Sequence, residues 1–151
     1  MVSVSTPGRI CLFGEHQDYL GLPVIAAAIS LRLKLKATPR QDQTLAINLP
    51  DISRKLRFPT GERLQYVVER DYFRSGFNIV FDLGFEPAHG WDIEITSDIP
   101  INSGTSSSSA LMVSWVHFLL RACDHPEAGD AEFVARLAHR AEVLEFGEPG
   151  G

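Results

Sequence analysis

The chain has 151 residues, 44% of them hydrophobic and 22% charged, with nine Phe, two Trp and three Tyr. That composition predicts one folded domain with its own core and excludes a disordered chain. Lys and Arg number 14 against 19 Asp and Glu, a formal net charge of -5, and without a basic block this argues against nucleic acid as a partner. The two cysteines, Cys11 and Cys123, form neither a disulfide framework nor a zinc spacing, which predicts a reducing, cytoplasmic setting. Residues 1–9 lack the basic-then-apolar order of a signal peptide. The longest apolar stretch, residues 20–31, is too short to span a bilayer and contains Pro23, so no membrane partner is expected.

In chain order, residues 9–13 read as a buried strand, and a polar group, residues 15–18, follows between Gly14 and Gly21. From Ser30 the pattern alternates, with Leu31, Leu33, Leu35 and Ala37 on one face and Arg32, Lys34 and Lys36 on the other, the period of a half-buried strand. Weaker strand signals lie at residues 44–49 and 55–58, separated by Pro50 and Asp51. Residues 61–72 read as a helix with Leu64, Val67 and Val68 on one side. Trp91, Ile93 and Ile95 alternate with Asp92, Glu94 and Thr96, so a further strand runs to Pro100. Residues 110–122 are apolar nearly all round, with Ser114, His117 and Arg121 in one narrow stripe, and predict a largely buried helix. Asp130 is the expected N-cap of a last helix whose apolar face holds Phe133, Val134, Leu137, Ala138, Ala141 and Leu144 and which ends at Gly147. No repeat, flexible linker or second domain is visible.

Three segments could carry chemistry. In the first, a strand delivers Glu15, His16, Asp18 and Tyr19 into one loop; it is either a solvated turn or an acceptor-rich cluster suited to the hydroxyls of a sugar or polyol. In the second, Asn102, Ser103, Gly104, Thr105, Ser106, Ser107, Ser108 and Ser109 stand between a strand and a buried helix. A serine run can be a linker, but one wedged between strand and helix points its N–H groups and the helix dipole at an anion such as phosphate. The third is the end of the last helix: at 100° per residue Glu145 falls in the apolar face and Glu142 on its edge, either as a wet last turn or as carboxylates compensated by a bound cation.

Together these segments resemble the GHMP kinases, particularly the galactokinase-like sugar 1-kinases. The run Pro7-Gly8-Arg9 leading to Gly14-Glu15-His16-Gln17-Asp18-Tyr19 is similar to the galactokinase signature, residues 100–111 to the family's phosphate loop, and Ala141-Glu142 followed by Phe146-Gly147-Glu148-Pro149-Gly150 to its magnesium-binding stretch. The phosphate loop departs from the family pattern at Asn102-Ser103-Gly104-Thr105, where relatives carry more glycines and a leucine. The resemblance implies an α+β fold, a two-layer domain of the ribosomal protein S5 domain 2-like type, with residues 1–151 as a partial N-terminal domain. It implies ATP and Mg2+ as cofactors and a monosaccharide as acceptor at its anomeric hydroxyl. Glu15, His16, Asp18 and Tyr19 would bind the sugar, Arg9 would stabilise the transferring phosphate, and residues 102–109 would hold the ATP phosphates. Ser107, Ser108 and Glu142 would hold the metal; here the family spacing selects Glu142 over Glu145. A catalytic aspartate and a C-terminal domain of the same polypeptide are expected past Gly151, so the 151-residue chain alone is expected to show no turnover. A mevalonate-type alcohol kinase, a non-catalytic sugar and nucleotide sensor and an S5-like RNA-binding module are the rivals, the last opposed by the negative charge.

Overall fold

A computed structural model describes residues 1–14, 20–101 and 103–147. Strands β1 (Val2–Phe13), β2 (Ile25–Pro39), β3 (Thr44–Leu49), β4 (Arg54–Pro59) and β5 (Trp91–Ser97) form one five-stranded sheet in the order β1-β2-β5-β3-β4. Neighbours are antiparallel except β3 and β5, which run parallel. Helix α2 (Ser107–Ala122) packs on β1 and β2 on one face, and α1 (Tyr72–Phe81) and α3 (Ala131–Glu142) pack against it and each other. Alternation explains the two sides: Leu33, Leu35, Leu45, Ile47, Ile93 and Ile95 are buried under the helices, while Lys34, Lys36, Asp92 and Glu94 stand in water. This is the predicted two-layer α+β arrangement. No helix among the described residues is long and apolar enough to cross a membrane.

The core centres on Trp115 of α2, fully buried against the rings of Phe73 at 5.3 Å, Phe118 at 5.6 Å and Phe58 at 6.3 Å. Its indole N–H donates to the Phe73 carbonyl at 2.9 Å, so the polar end of the ring enters the core satisfied. Gly76 lets α1 come this close, since a Cβ there would fall 2.6 Å from Trp115 Cδ1. Glycine in a helix interior costs about 1 kcal/mol, and the close ring packing offsets it.

Five expectations change. The strand at residues 9–13 begins earlier, at Val2, as an edge strand that tolerates Pro7. It is also not buried to its end: β5 pairs with β2 only from Leu33 onward, so the far half of the β1–β2 ribbon overhangs the sheet and leaves Leu12 and Phe13 exposed. Residues 61–71 are not helical. Asn78 takes both the N–H and the carbonyl of Leu64 at 2.8 Å, Asp71 accepts from the Val67 N–H at 3.2 Å, and Arg70 sits at φ 53, so side chains capture the backbone groups a helix would need. The helix follows instead, where Phe73, Phe77 and Val80 recur on one face. Finally, α2 starts at Ser107 rather than at residue 110, and α3 ends at Glu142, the chain passing through the 3-10 turn Leu144–Phe146 before Gly147.

Candidate active site

The overhanging ribbon, the serine loop and the start of α2 enclose a cleft of about 730 Å³. Arg9 and Cys11 line it from β1, residues 103–109 from the loop and helix, Asp51 from the turn after β3, Arg70 from the loop before α1 and Tyr72 from the first residue of α1. An apolar wall of Val24, Ala26, Leu33, Leu49, Ile95, Ile99 and Ile101 completes it. Such a cleft accepts a ligand with an apolar body and an anionic end.

The start of α2 is the part of the cleft suited to an anion. Gly104 (φ 70) and Ser106 (φ 54, ψ 47) are both left-handed, and between them the chain turns sharply into the helix. Ser106 is at the N-cap position, yet no side chain caps the helix. The first intrahelical bond runs from the Ala110 N–H to the Ser106 carbonyl at 3.0 Å, so the N–H groups of Ser107, Ser108 and Ser109 precede the ladder. Ser103 shapes the loop by donating to the Pro100 carbonyl at 3.0 Å and sharing a 2.6 Å contact with the Thr105 hydroxyl. Successive N–H groups at a left-handed turn and a helix start form a cradle for phosphate oxygens.

Arg9 reaches this cradle through its backbone, its N–H donating to the Thr105 carbonyl at 3.1 Å. Gly8 permits the approach, because a Cβ there would stand 3.1 Å from the same oxygen. Glu142, the last residue of α3, accepts from the Ser109 hydroxyl at 3.2 Å. Glu145 turns the other way and accepts from the Tyr66 hydroxyl. The helical wheel that favoured Glu145 fails because α3 has ended before it.

The structure thus brings together Arg9, Ser103, Gly104, Thr105, Ser106, Ser107, Ser108 and Ser109 on one cleft, with Glu142 bonded to Ser109. Glu15, His16, Asp18, Tyr19 and Asn102 lie outside the described residues; Gly14 and Val24, on either side of the 15–19 segment, line the cleft. Among the described residues no group of three His, Cys, Asp or Glu is placed to hold a metal. One carboxylate beside serine hydroxyls is a hard-oxygen set, which fits Mg2+, an ion that takes one or two protein carboxylates and completes its shell with water and phosphate oxygens. Sequence reasoning missed Asp51, Arg70 and Tyr72. Asp51 is held by the Ser97 N–H at 2.7 Å, and the one local signal for it was the Pro50-Asp51 break between strands. Arg70 and Tyr72 carried none, because the loop that holds Arg70 mimics helical periodicity and Tyr72, read as the end of that helix, opens α1 instead.

Comparison with known proteins bears on the whole chain. Residues 67–151 match the GHMP kinases N terminal domain, and residues 2–37 match the galactokinase galactose-binding signature. The mevalonate kinase of Thermococcus sibiricus is 33% identical over 99% of this chain and 47% of its own length. The galactokinase of Bos taurus is 30% identical over 99% of this chain and 39% of its own length. The crystal structure of the Methanococcus jannaschii mevalonate kinase superposes with a TM-score of 0.82 at 23% identity, over 97% of this chain and 47% of that one. The chain therefore spans about half the length, or less, of the curated relatives it matches.

Proposed function

The chain belongs to the GHMP kinases, and from that premise we propose that the protein transfers the γ-phosphate of ATP to the anomeric hydroxyl of a monosaccharide such as galactose. The observation that carries the reading is the start of α2: an uncapped helix with a left-handed Ser106, opening on a cleft that Arg9 also lines. Phosphoryl transfer depends on positioning and on stabilising charge over the transferred group, and these residues offer both. The N–H groups of Ser107 to Ser109 would hold phosphate oxygens, with residues 103–106 shaping the cradle, and the Arg9 guanidinium would offset charge that develops during transfer. Glu142, together with Ser107, Ser108 or its partner Ser109, would hold Mg2+, which when bound neutralises charge on the β- and γ-phosphates. The apolar wall at Leu49, Ile95 and Ile99 would take the base of the nucleotide.

The match of residues 2–37 to a galactose-binding signature supports a sugar acceptor, since that span contains Glu15, His16, Asp18 and Tyr19. Mevalonate is the second acceptor to test, because a mevalonate kinase is as similar overall as a galactokinase. The experiment is ADP release by the intact protein with Mg2+ and ATP, offered galactose, other monosaccharides and mevalonate in turn. Turnover with a monosaccharide and none with mevalonate is the expected result. Turnover with mevalonate alone would replace the acceptor, and no release with any of them would overturn the kinase reading.

A further inference from the structure

Glu142 and Glu145 lie one turn apart in sequence yet meet different partners, Ser109 and Tyr66. The backbone makes the separation. Beyond Glu142 the chain tightens into the turn Leu144–Phe146, which Gly147 closes at φ 63. This turn seats Phe146 between two rings, Tyr66 at 5.6 Å and Tyr72 edge-on at 5.9 Å. Both tyrosines stand on fixed backbone. Tyr66 belongs to the loop that Asn78 and Asp71 tie down, and Tyr72 opens α1 and lines the cleft. One turn into α1, Ser75 donates to the Ala141 carbonyl at 2.9 Å, directly before Glu142.

We propose that Phe146, seated between Tyr66 and Tyr72, is a positioning residue that sets the Glu142 carboxylate against the start of α2 and so tunes the site's affinity for a nucleotide-bound divalent cation. The inference rests on the reading of the cleft as a Mg2+ and ATP site. A side chain on the last residue of a helix moves with the fraying of that turn unless something beyond it is anchored. Here the anchor is the ring clasp, and the Tyr66 hydroxyl adds a second hold through Glu145. Burial, and then the neighbouring Glu145 carboxylate, push the Tyr66 hydroxyl up from its ordinary value, so it stays protonated and remains a donor. The same clasp ties Tyr72, which lines the cleft, to the turn that follows Glu142.

The test is calorimetric titration of the intact protein with a non-hydrolysable ATP analogue, once with Mg2+ and once with EDTA. The wild type is expected to bind more tightly with Mg2+. Phe146→Leu, which keeps an apolar side chain and removes both ring contacts, is expected to lose about tenfold of that gain, the scale seen for outer residues that orient metal ligands. Its metal-free affinity and Tm should stay near wild type, and Phe146→Tyr should restore the gain. A Phe146→Leu protein that keeps the full Mg2+ gain overturns the proposal, as does one that loses metal-free affinity to the same extent. Should that variant not fold, Tyr66→Phe carries the test, with a smaller loss of the gain expected and an unchanged gain overturning it. A wild type that gains nothing from Mg2+ would overturn the metal reading itself, and that outcome is visible before any variant is made.

Discussion

Helices α2 and α3 begin in opposite ways. At the start of α3, Asp130 is extended (φ −82, ψ 108) and accepts from the Glu132 N–H at 2.9 Å and the Phe133 N–H at 3.2 Å. Glu132 sits in the first turn, and His139 and Arg140 sit in the last, so the dipole is compensated at both ends. At the start of α2, Ser106 is left-handed, no side chain caps the helix and no acid stands in the first turn. Serine is among the best N-caps, but this backbone denies it the role. The α3 start is exposed and could be capped by water, whereas the α2 start is half-buried on the cleft. An L-residue in the left-handed region costs about 1 kcal/mol or more, and a forgone cap about another. Stability is given up at one helix start and kept at the other, and under the proposed function the uncapped end is the one that would meet an anion.

The comparison can be broken in three ways, taken from the largest effect to the smallest. Arg9 lines the cleft beside the α2 start. Arg9→Ala should lower turnover by about a hundredfold, the scale of losing one preorganised donor to developing charge, while Tm stays near wild type. Steady-state kinetics on the intact protein checks this, and a loss below a few-fold would remove Arg9 from the chemistry. Next, Ser106→Asp keeps a residue type that tolerates the left-handed region and gives α2 the acid it lacks. Nucleotide affinity should fall about tenfold by like-charge repulsion at a few ångströms, with stability unchanged or slightly higher. Titration with ADP and thermal melts together decide it, since equal affinity would mean that no phosphate approaches this end. The smallest effect belongs to the other helix: Asp130→Ala should cost about 1 kcal/mol of folding stability and leave nucleotide affinity untouched. Denaturant unfolding reads the first, calorimetry the second, and a fall in affinity would erase the distinction between the two helix starts.

Much of this was legible in the sequence where the signal was local. Asp130 was readable as an N-cap because capping chemistry spans three residues, and the strands at residues 31–37 and 91–96 because alternation spans a few residues, although Leu31, read on the apolar face, is exposed. The serine loop was readable because a strand and an apolar helix bracket it. The false helix at residues 61–72 shows the limit: Leu64, Val67 and Val68 are helically spaced, but only Leu64 is buried, and Asn78 and Asp71 take the backbone groups. Likewise the apolar run ending at Leu12 and Phe13 reads as buried, and nothing local tells that β5 stops short of covering it.

The sequence by itself determined the two-layer α+β class, through the family resemblance, the places of the strands and of the last two helices, and the two segments, around Arg9 and residues 103–109, that meet at the cleft. Their meeting was decided by tertiary structure. Ser109 and Glu142 touch because α2 packs on α3, and Arg9 meets Thr105 because α2 lies on β1 with only a glycine between. That Glu142 meets Ser109 while Glu145 meets Tyr66, and that Phe146 sits against Tyr66 and Tyr72, was decided there too. The physical reason is one of range. Backbone propensity and side-chain period act over a few residues, whereas these contacts join distant segments whose geometry exists only once the helices have closed on the sheet.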